Sequence, residues 1–151
     1  MKKYLLTILL PFFLFGCAQS TPQETTSETF VNTEELKGVH TAENSLSWNG
    51  IYGGIFPCAD CEGINTQLVL NRDYTYELEE KYLKNGVIVY SGKSHGTFSF
   101  DKTNTSLIRL DANADHRVFF VGEGYVQQRD KQTGQPLSEN LPYRLEQMSV
   151  R

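Results

Sequence analysis

The sequence predicts an all-β fold, a small antiparallel barrel of about eight strands, on three observations. Beyond Leu46 apolar and polar residues alternate with period two, turn-forming residues interrupt the alternation at short intervals, and no stretch carries a sustained helical stripe. A meander of such strands leaves two unpaired edges unless its ends meet. Closure is therefore the economical arrangement, and a two-sheet sandwich is the alternative.

Taken from the N-terminus, the first element is a targeting segment. Lys2 and Lys3 precede an apolar run from Tyr4 to Phe15, the pattern of a signal peptide. The run falls short of the roughly 20 residues that cross a bilayer. Its end, Leu14-Phe15-Gly16-Cys17, resembles the lipobox of bacterial lipoproteins. This implies cleavage after residue 16 and lipid on Cys17; an ordinary secretory signal with an incidental Cys17 is the alternative. Ala18 rather than Asp follows the cysteine, which in lipoproteins of two-membrane bacteria implies transfer to the outer membrane. Residues 17–45 are rich in Thr, Ser, Glu, Gln and Asn and read as a lipidated, flexible tether. Within it, Thr33-Glu34-Glu35-Leu36 could form one helical turn, which is marginal in isolation.

Residues 46–151 form the predicted domain. A strand-like segment precedes the cysteine turn. Ile64, Thr66, Leu68 and Leu70 mark the dry face of the next, and Tyr74, Tyr76 and Leu78 that of a third. Asn71-Arg72-Asp73 turns the chain between these two, and Asn85-Gly86 is a strong hairpin signal before Val87-Ile88-Val89-Tyr90. Further strands are expected at Gly96 to Phe100, Ser106 to Leu110, Arg117 to Val121, Tyr125 to Arg129 and Tyr143 to Gln147. The heavy load of Tyr and Phe suits core filling, with a small-ligand cavity as the alternative. Glu79-Glu80 reads as a solvated face.

The chain carries a formal charge of −4, and loss of residues 1–16 removes two lysines and no acids. That leaves 12 basic against 18 acidic residues, or −6. Such a balance argues against nucleic acid and anionic membrane faces as partners. There is no serine–histidine–acid order, phosphate loop or metalloprotease signature. An enzyme is not expected.

Chemistry concentrates at Pro57-Cys58-Ala59-Asp60-Cys61-Glu62-Gly63, between two strand-like segments. With Cys17 claimed by lipid, Cys58 and Cys61 can pair without leaving an odd thiol. In an oxidising envelope they would form a disulfide; as thiolates they would favour Cu(I). A third copper ligand would have to come from His40, His95, His116 or Met148, none of which the spacing brings to the turn. Thiol oxidoreductases place this motif at a helix N-terminus, which is missing here, and Asp60 and Glu62 crowd the thiols with negative charge.

The run from Trp48 to Leu68 closely resembles the N-terminal domain of the NlpE family of envelope lipoproteins. The resemblance lies at Trp48, Gly50, Tyr52, Gly53, Pro57, Cys58, Ala59, Asp60, Cys61, Gly63, Ile64, Thr66 and Leu68. It implies a lipocalin-like barrel on a lipid anchor, roles in copper tolerance and in reporting envelope or surface-contact stress, and a two-component sensor kinase as partner. Cys58 and Cys61 would be the metal- or redox-responsive element. The family's best-known architecture adds a C-terminal oligonucleotide-fold domain with its own cysteine pair, which has no counterpart up to Arg151. The single-domain form is therefore expected, and signalling that depends on the second domain is not carried over. The competing reading is a small-ligand barrel in which the cysteine pair is only a structural disulfide.

Overall fold

The computed structural model describes residues 40–150. Eight antiparallel strands run up and down in chain order among these residues: β1 Gly50–Phe56, β2 Gly63–Leu70, β3 Thr75–Lys84, β4 Val87–Phe100, β5 Leu107–Leu110, β6 Val118–Gly122, β7 Tyr125–Arg129 and β8 Arg144–Val150. They close into one barrel. Closure comes from β1 against β8, where Gly50 faces Val150 and Gly53 faces Glu146, with a register shift between Ile51 and Tyr52. The targeting segment, Cys17 and the Thr33–Leu36 turn lie outside the described residues.

Strand alternation sets the core. Tyr52, Thr66, Leu68, Leu70, Tyr76, Leu78, Phe98, Ile108, Leu110, Phe119, Val121, Val126 and Leu145 are all buried. All but Thr66 belong to one hydrophobic cluster. Thr66 satisfies its hydroxyl locally by donating to the Ile64 carbonyl at 3.1 Å. The aromatic residues thus fill the barrel. Burial, helped by the negative charge of Glu123, pushes the Tyr52 phenol up to about 12. It remains a neutral donor to the Trp48 carbonyl at 2.6 Å.

Residues 41–45, within the span that reads as tether, hold one helical turn, α1 Ala42–Ser45. A reciprocal capping box makes it: Asn44 N–H donates to the Thr41 hydroxyl, and Thr41 N–H donates to the Asn44 side chain. The turn presents the Glu43 carbonyl to the Trp48 indole N–H at 2.8 Å. Trp48 then caps one end of the barrel, stacked on Tyr74 and meeting Phe98 and Phe100 edge-on at 5.7 and 5.5 Å between centroids.

Three expectations are corrected. Tyr74 does not share the dry face of β3. It takes the left-handed conformation at φ 61°, which completes the turn after Asp73, and is 41% exposed. The unfavourable backbone is offset by stacking on Trp48 and by donation from its hydroxyl to Glu43 at 2.7 Å. The strands expected at Val87–Tyr90 and Gly96–Phe100 are one 14-residue strand, because β3 continues to Lys84 and supplies partners for the polar stretch between them. Glu79 and Glu80 do not share a solvated face. Glu79 points outward to Lys81 and Lys93, whereas Glu80 accepts two hydrogen bonds from Arg117 at 2.7 and 2.8 Å in a partly buried pair.

The strong hairpin signal holds. Asn85 and Gly86 both take positive φ, at 53° and 72°, as a two-residue hairpin of this type requires.

Three seams have only three residue pairs: β5–β6, β7–β8 and β4 against β5, the last from Phe98–Leu110 to Phe100–Ile108. Asp111 extends it. Its carboxylate accepts from Tyr76 hydroxyl at 2.8 Å and Thr97 N–H at 2.9 Å. Its own N–H donates to the Thr97 carbonyl at 3.0 Å. The carboxylate lies where a Gly96 Cβ would stand, so only glycine leaves it room. Gly96→Ala is expected to cost about 1–3 kcal/mol, measured by urea denaturation.

The hydrogen bonds from Thr97 and Tyr76 hold the Asp111 carboxyl below its ordinary value. A depressed carboxyl contributes stability that is complete above about pH 4 and is lost as pH falls through the folded value. Asp111→Asn should therefore be less stable at neutral pH, with a shallower loss between about pH 5 and pH 2. Denaturation curves across that range check it; an unchanged acid limb would refute the latch.

Candidate functional site

The β1–β2 connection carries the site. Phe56 is buried at the end of β1 and packs on Tyr143 at 5.9 Å, Pro57 turns the chain, and Gly63 opens β2. Between them Cys58 and Cys61 are joined in a disulfide, with Cα atoms 5.3 Å apart. Both cysteines are half-buried, while Ala59, Asp60 and Glu62 are exposed. A side chain at Gly63 would strike Ile55, so the position favours glycine.

Glu62 straps this loop to the neighbouring hairpin. Its N–H donates to the Leu83 carbonyl at 2.8 Å, and its carboxylate accepts from Gly86 N–H at 3.1 Å. The disulfide loop and the β3–β4 turn therefore share one rim of the barrel, opposite the Trp48 end. Cys61 Sγ lies 3.5 Å from the Gly63 carbonyl oxygen, an acceptor for its thiol when the bond is reduced. The motif sits on a loop between strands, without the helix dipole that activates catalytic thiols.

The structure brings Cys58 and Cys61 together and sets the other motif residues around the first strand. Gly50 leaves space for the Ser149 backbone of β8, Tyr52 anchors the interior, Trp48 caps the far end, Pro57 enters the loop and Asp60 stands at its exposed tip. The residues weighed as a third copper ligand are dispersed. His40 lies near Ser45, His95 faces Glu77 on β4, His116 follows the 3-10 turn Ala112–Ala114, and Met148 packs over Gly53. Among the described residues no group of three or more His, Cys, Asp or Glu could hold a metal ion.

A cavity of about 530 Å³ lies outside the barrel interior. It lies on the outer face of β2, β3 and β4, lined by Gln67, Val69, Glu77, Glu79, Lys93 and His95. Sequence reasoning missed three arrangements: the Asp111 latch, the Glu80–Arg117 pair and the Glu62 strap. Each joins residues at least 14 positions apart through a side chain outside the strands, that of Asp111, Arg117 or Glu62, which period-two patterning does not register.

A filled up-and-down barrel with a disulfide-closed loop on one rim is the class of protein that fold and site define. Within that class the chain belongs to the NlpE family, whose N-terminal-domain model matches residues 52–139. It is similar to Lipoprotein NlpE of Escherichia coli K12, 30% identical over an alignment of 148 residues that covers 96% of this chain and 57% of that protein. The chain thus spans little more than half the length of this relative. Among solved structures, a Shewanella oneidensis protein matches at 35% identity with a TM-score of 0.63, covering 72% of this chain and 96% of that one. The Cpx pathway activator NlpE from E. coli matches at 28% identity and a TM-score of 0.50, covering 60% of this chain and 46% of that one.

The disulfide closes a loop of only four residues, for which chain entropy gives about 2 kcal/mol. Reduction, or Cys58→Ser with Cys61→Ser, is expected to lower the unfolding free energy by that amount or less and leave the barrel folded. Urea denaturation with and without reductant measures it. Loss of the folded baseline would make the pair indispensable to the fold.

Proposed function

We propose that this chain is a lipid-anchored envelope protein, held on the outer membrane through Cys17, whose Cys58–Cys61 turn is a metal- or redox-responsive element. The observation that carries the reading is the position of the disulfide: half-exposed, on a loop, and strapped through Glu62 to the β3–β4 hairpin of a domain in the NlpE family. A four-residue loop limits the stability the disulfide can add to about 2 kcal/mol, which leaves its chemistry free to serve a signal. Two electrons and two protons from a thiol reductant convert the bond to two thiols. Deprotonated, they present soft sulfur that selects Cu(I) over hard cations. In the oxidised form the sulfurs offer no metal site, and the reduced pair would be a two-sulfur one.

The similarity to a Cpx pathway activator supports a role in reporting envelope or surface-contact stress, with a two-component sensor kinase as the partner; the role in copper tolerance rests on the thiolate chemistry of Cys58 and Cys61. No nucleic acid and no catalytic reaction enter this reading. Native mass spectrometry of the exported chain, with Cu(I) added before and after mild reduction, should show uptake only after reduction. Cys58→Ser with Cys61→Ser should abolish that uptake and the copper tolerance of the host while the protein stays abundant. Unchanged tolerance would remove the copper role, and a disulfide that takes no copper in either state would make the turn structural.

A further inference from the structure

Two asparagines precede glycine in this chain, Asn49 and Asn85. Glycine places no side chain beside its peptide nitrogen, so at such a pair the backbone can close on itself. The glycine nitrogen, once deprotonated, attacks the asparagine side-chain carbon Cγ, and ammonia leaves. Water then opens the cyclic imide to aspartate, or to isoaspartate, in which the main chain runs through the former side chain. The fold treats the two pairs differently. Asn49 is 5% exposed, and Gly50 is locked in β1 between Leu70 of β2 and Val150 of β8. Asn85 and Gly86 are exposed, and no atom comes within 4 Å of where a Gly86 Cβ would stand.

Two constraints keep the Gly86 nitrogen from that reaction. One is the turn. With φ at 53° and 72° on its two central residues, this hairpin type sets ψ of Asn85 at about +30°. The Gly86 nitrogen then stands nearly opposite the Asn85 Cβ and must rotate before it can reach Cγ. The other is Glu62, whose carboxylate accepts the Gly86 N–H at 3.1 Å. That bond fixes the peptide plane and sets negative charge against a nitrogen that has to lose its proton. Glu62 is itself anchored, by its own N–H to the Leu83 carbonyl at 2.8 Å and by the disulfide at the adjacent Cys61.

We propose that Asn85 is a deamidation site gated by Glu62. While the strap is closed the asparagine persists. Each opening frees the Gly86 amide to rotate, deprotonate and close on Cγ. Conversion runs one way, because the ammonia is lost. The product sets a second carboxylate beside the one that Glu62 offers to the same amide, and like charges at that distance repel. Isoaspartate also lengthens the backbone of a turn whose two-residue loop fixes the hairpin geometry. Either product releases the disulfide rim from the hairpin without an enzyme.

The test uses the full exported chain in detergent micelles, held in mildly alkaline buffer. Peptide mass mapping that separates asparagine, aspartate and isoaspartate follows positions 49 and 85 over time. Asn85 is expected to convert slowly, faster as pH rises, while Asn49 stays intact. Glu62→Ala should speed conversion at Asn85 by roughly threefold or more, as loss of one exposed charge-assisted hydrogen bond implies, and leave Asn49 unchanged. Glu62→Gln, which keeps an acceptor without the charge, should fall between. Hydrogen exchange at the Glu62 and Gly86 amides should be faster in Asn85→Asp than in the original chain, and thermal melting confirms that each variant keeps the barrel. An Asn85 rate that Glu62→Ala leaves unchanged, an equal rise at Asn49, or unaltered exchange in Asn85→Asp would overturn the proposal.

Discussion

Closure of the barrel depends on its three-pair seams, of which β4 against β5 is one. A ring of strands is only as continuous as its weakest pairing, and β5 offers four residues against the 14 of β4. Asp111 compensates by acting as backbone and side chain at once: its amide continues the ladder to Thr97 while its carboxylate ties Thr97 and the buried Tyr76. The burial and hydrogen bond that push the Tyr76 phenol up to about 12 keep it a donor under all physiological conditions. The latch therefore varies only through the carboxylate. Gly96 is part of the same device, since the carboxylate rests on the bare backbone of β4.

The two ends of the barrel are finished differently. At the chain-entry end, α1, Trp48, Tyr74, Phe98 and Phe100 form an aromatic plug whose polar atoms are paired: indole to Glu43 carbonyl, Tyr74 hydroxyl to Glu43 carboxylate. This end is built for closure. The opposite rim is open and carries the disulfide loop, the exposed Ile55 and the apolar hairpin. On the flank between them, Arg129, Phe120, Tyr125, Arg144 and Glu146 form a ladder of ring and cation contacts across β6, β7 and β8. Each step is worth a fraction to about 1 kcal/mol at an exposed site and helps hold these short strands in register.

Much of this fold was legible in the sequence because strands write their own pattern. Alternation at Thr66, Leu68 and Leu70 identified the dry face of β2, and Asn85-Gly86 fixed a hairpin whose left-handed backbone the structure shows. What stayed illegible depends on side chains that act far from their neighbours in sequence. Glu80 reads as a surface acid until Arg117 arrives across the barrel, and Tyr74 reads as core until the turn throws it outward onto Trp48. The continuity of β4 was hidden because Ser91, Gly92, Ser94 and Gly96 are poor strand formers taken alone, and β3 holds them in the ladder. At the site, the sequence supplied two cysteines in an exposed turn and left disulfide and metal roles open; the structure adds the bond and the strap to the hairpin.

The Glu62 strap makes the disulfide loop and the hairpin one linked system. Linkage is reciprocal: if the state of the sulfurs alters how readily the hairpin is held in place, then whatever grips the hairpin alters the balance between dithiol and disulfide by the same free energy. Occupancy of the β3–β4 rim would then be written into the reduction potential of Cys58–Cys61. An electrochemical titration of the cysteine pair would thereby count bound partners without any label on them.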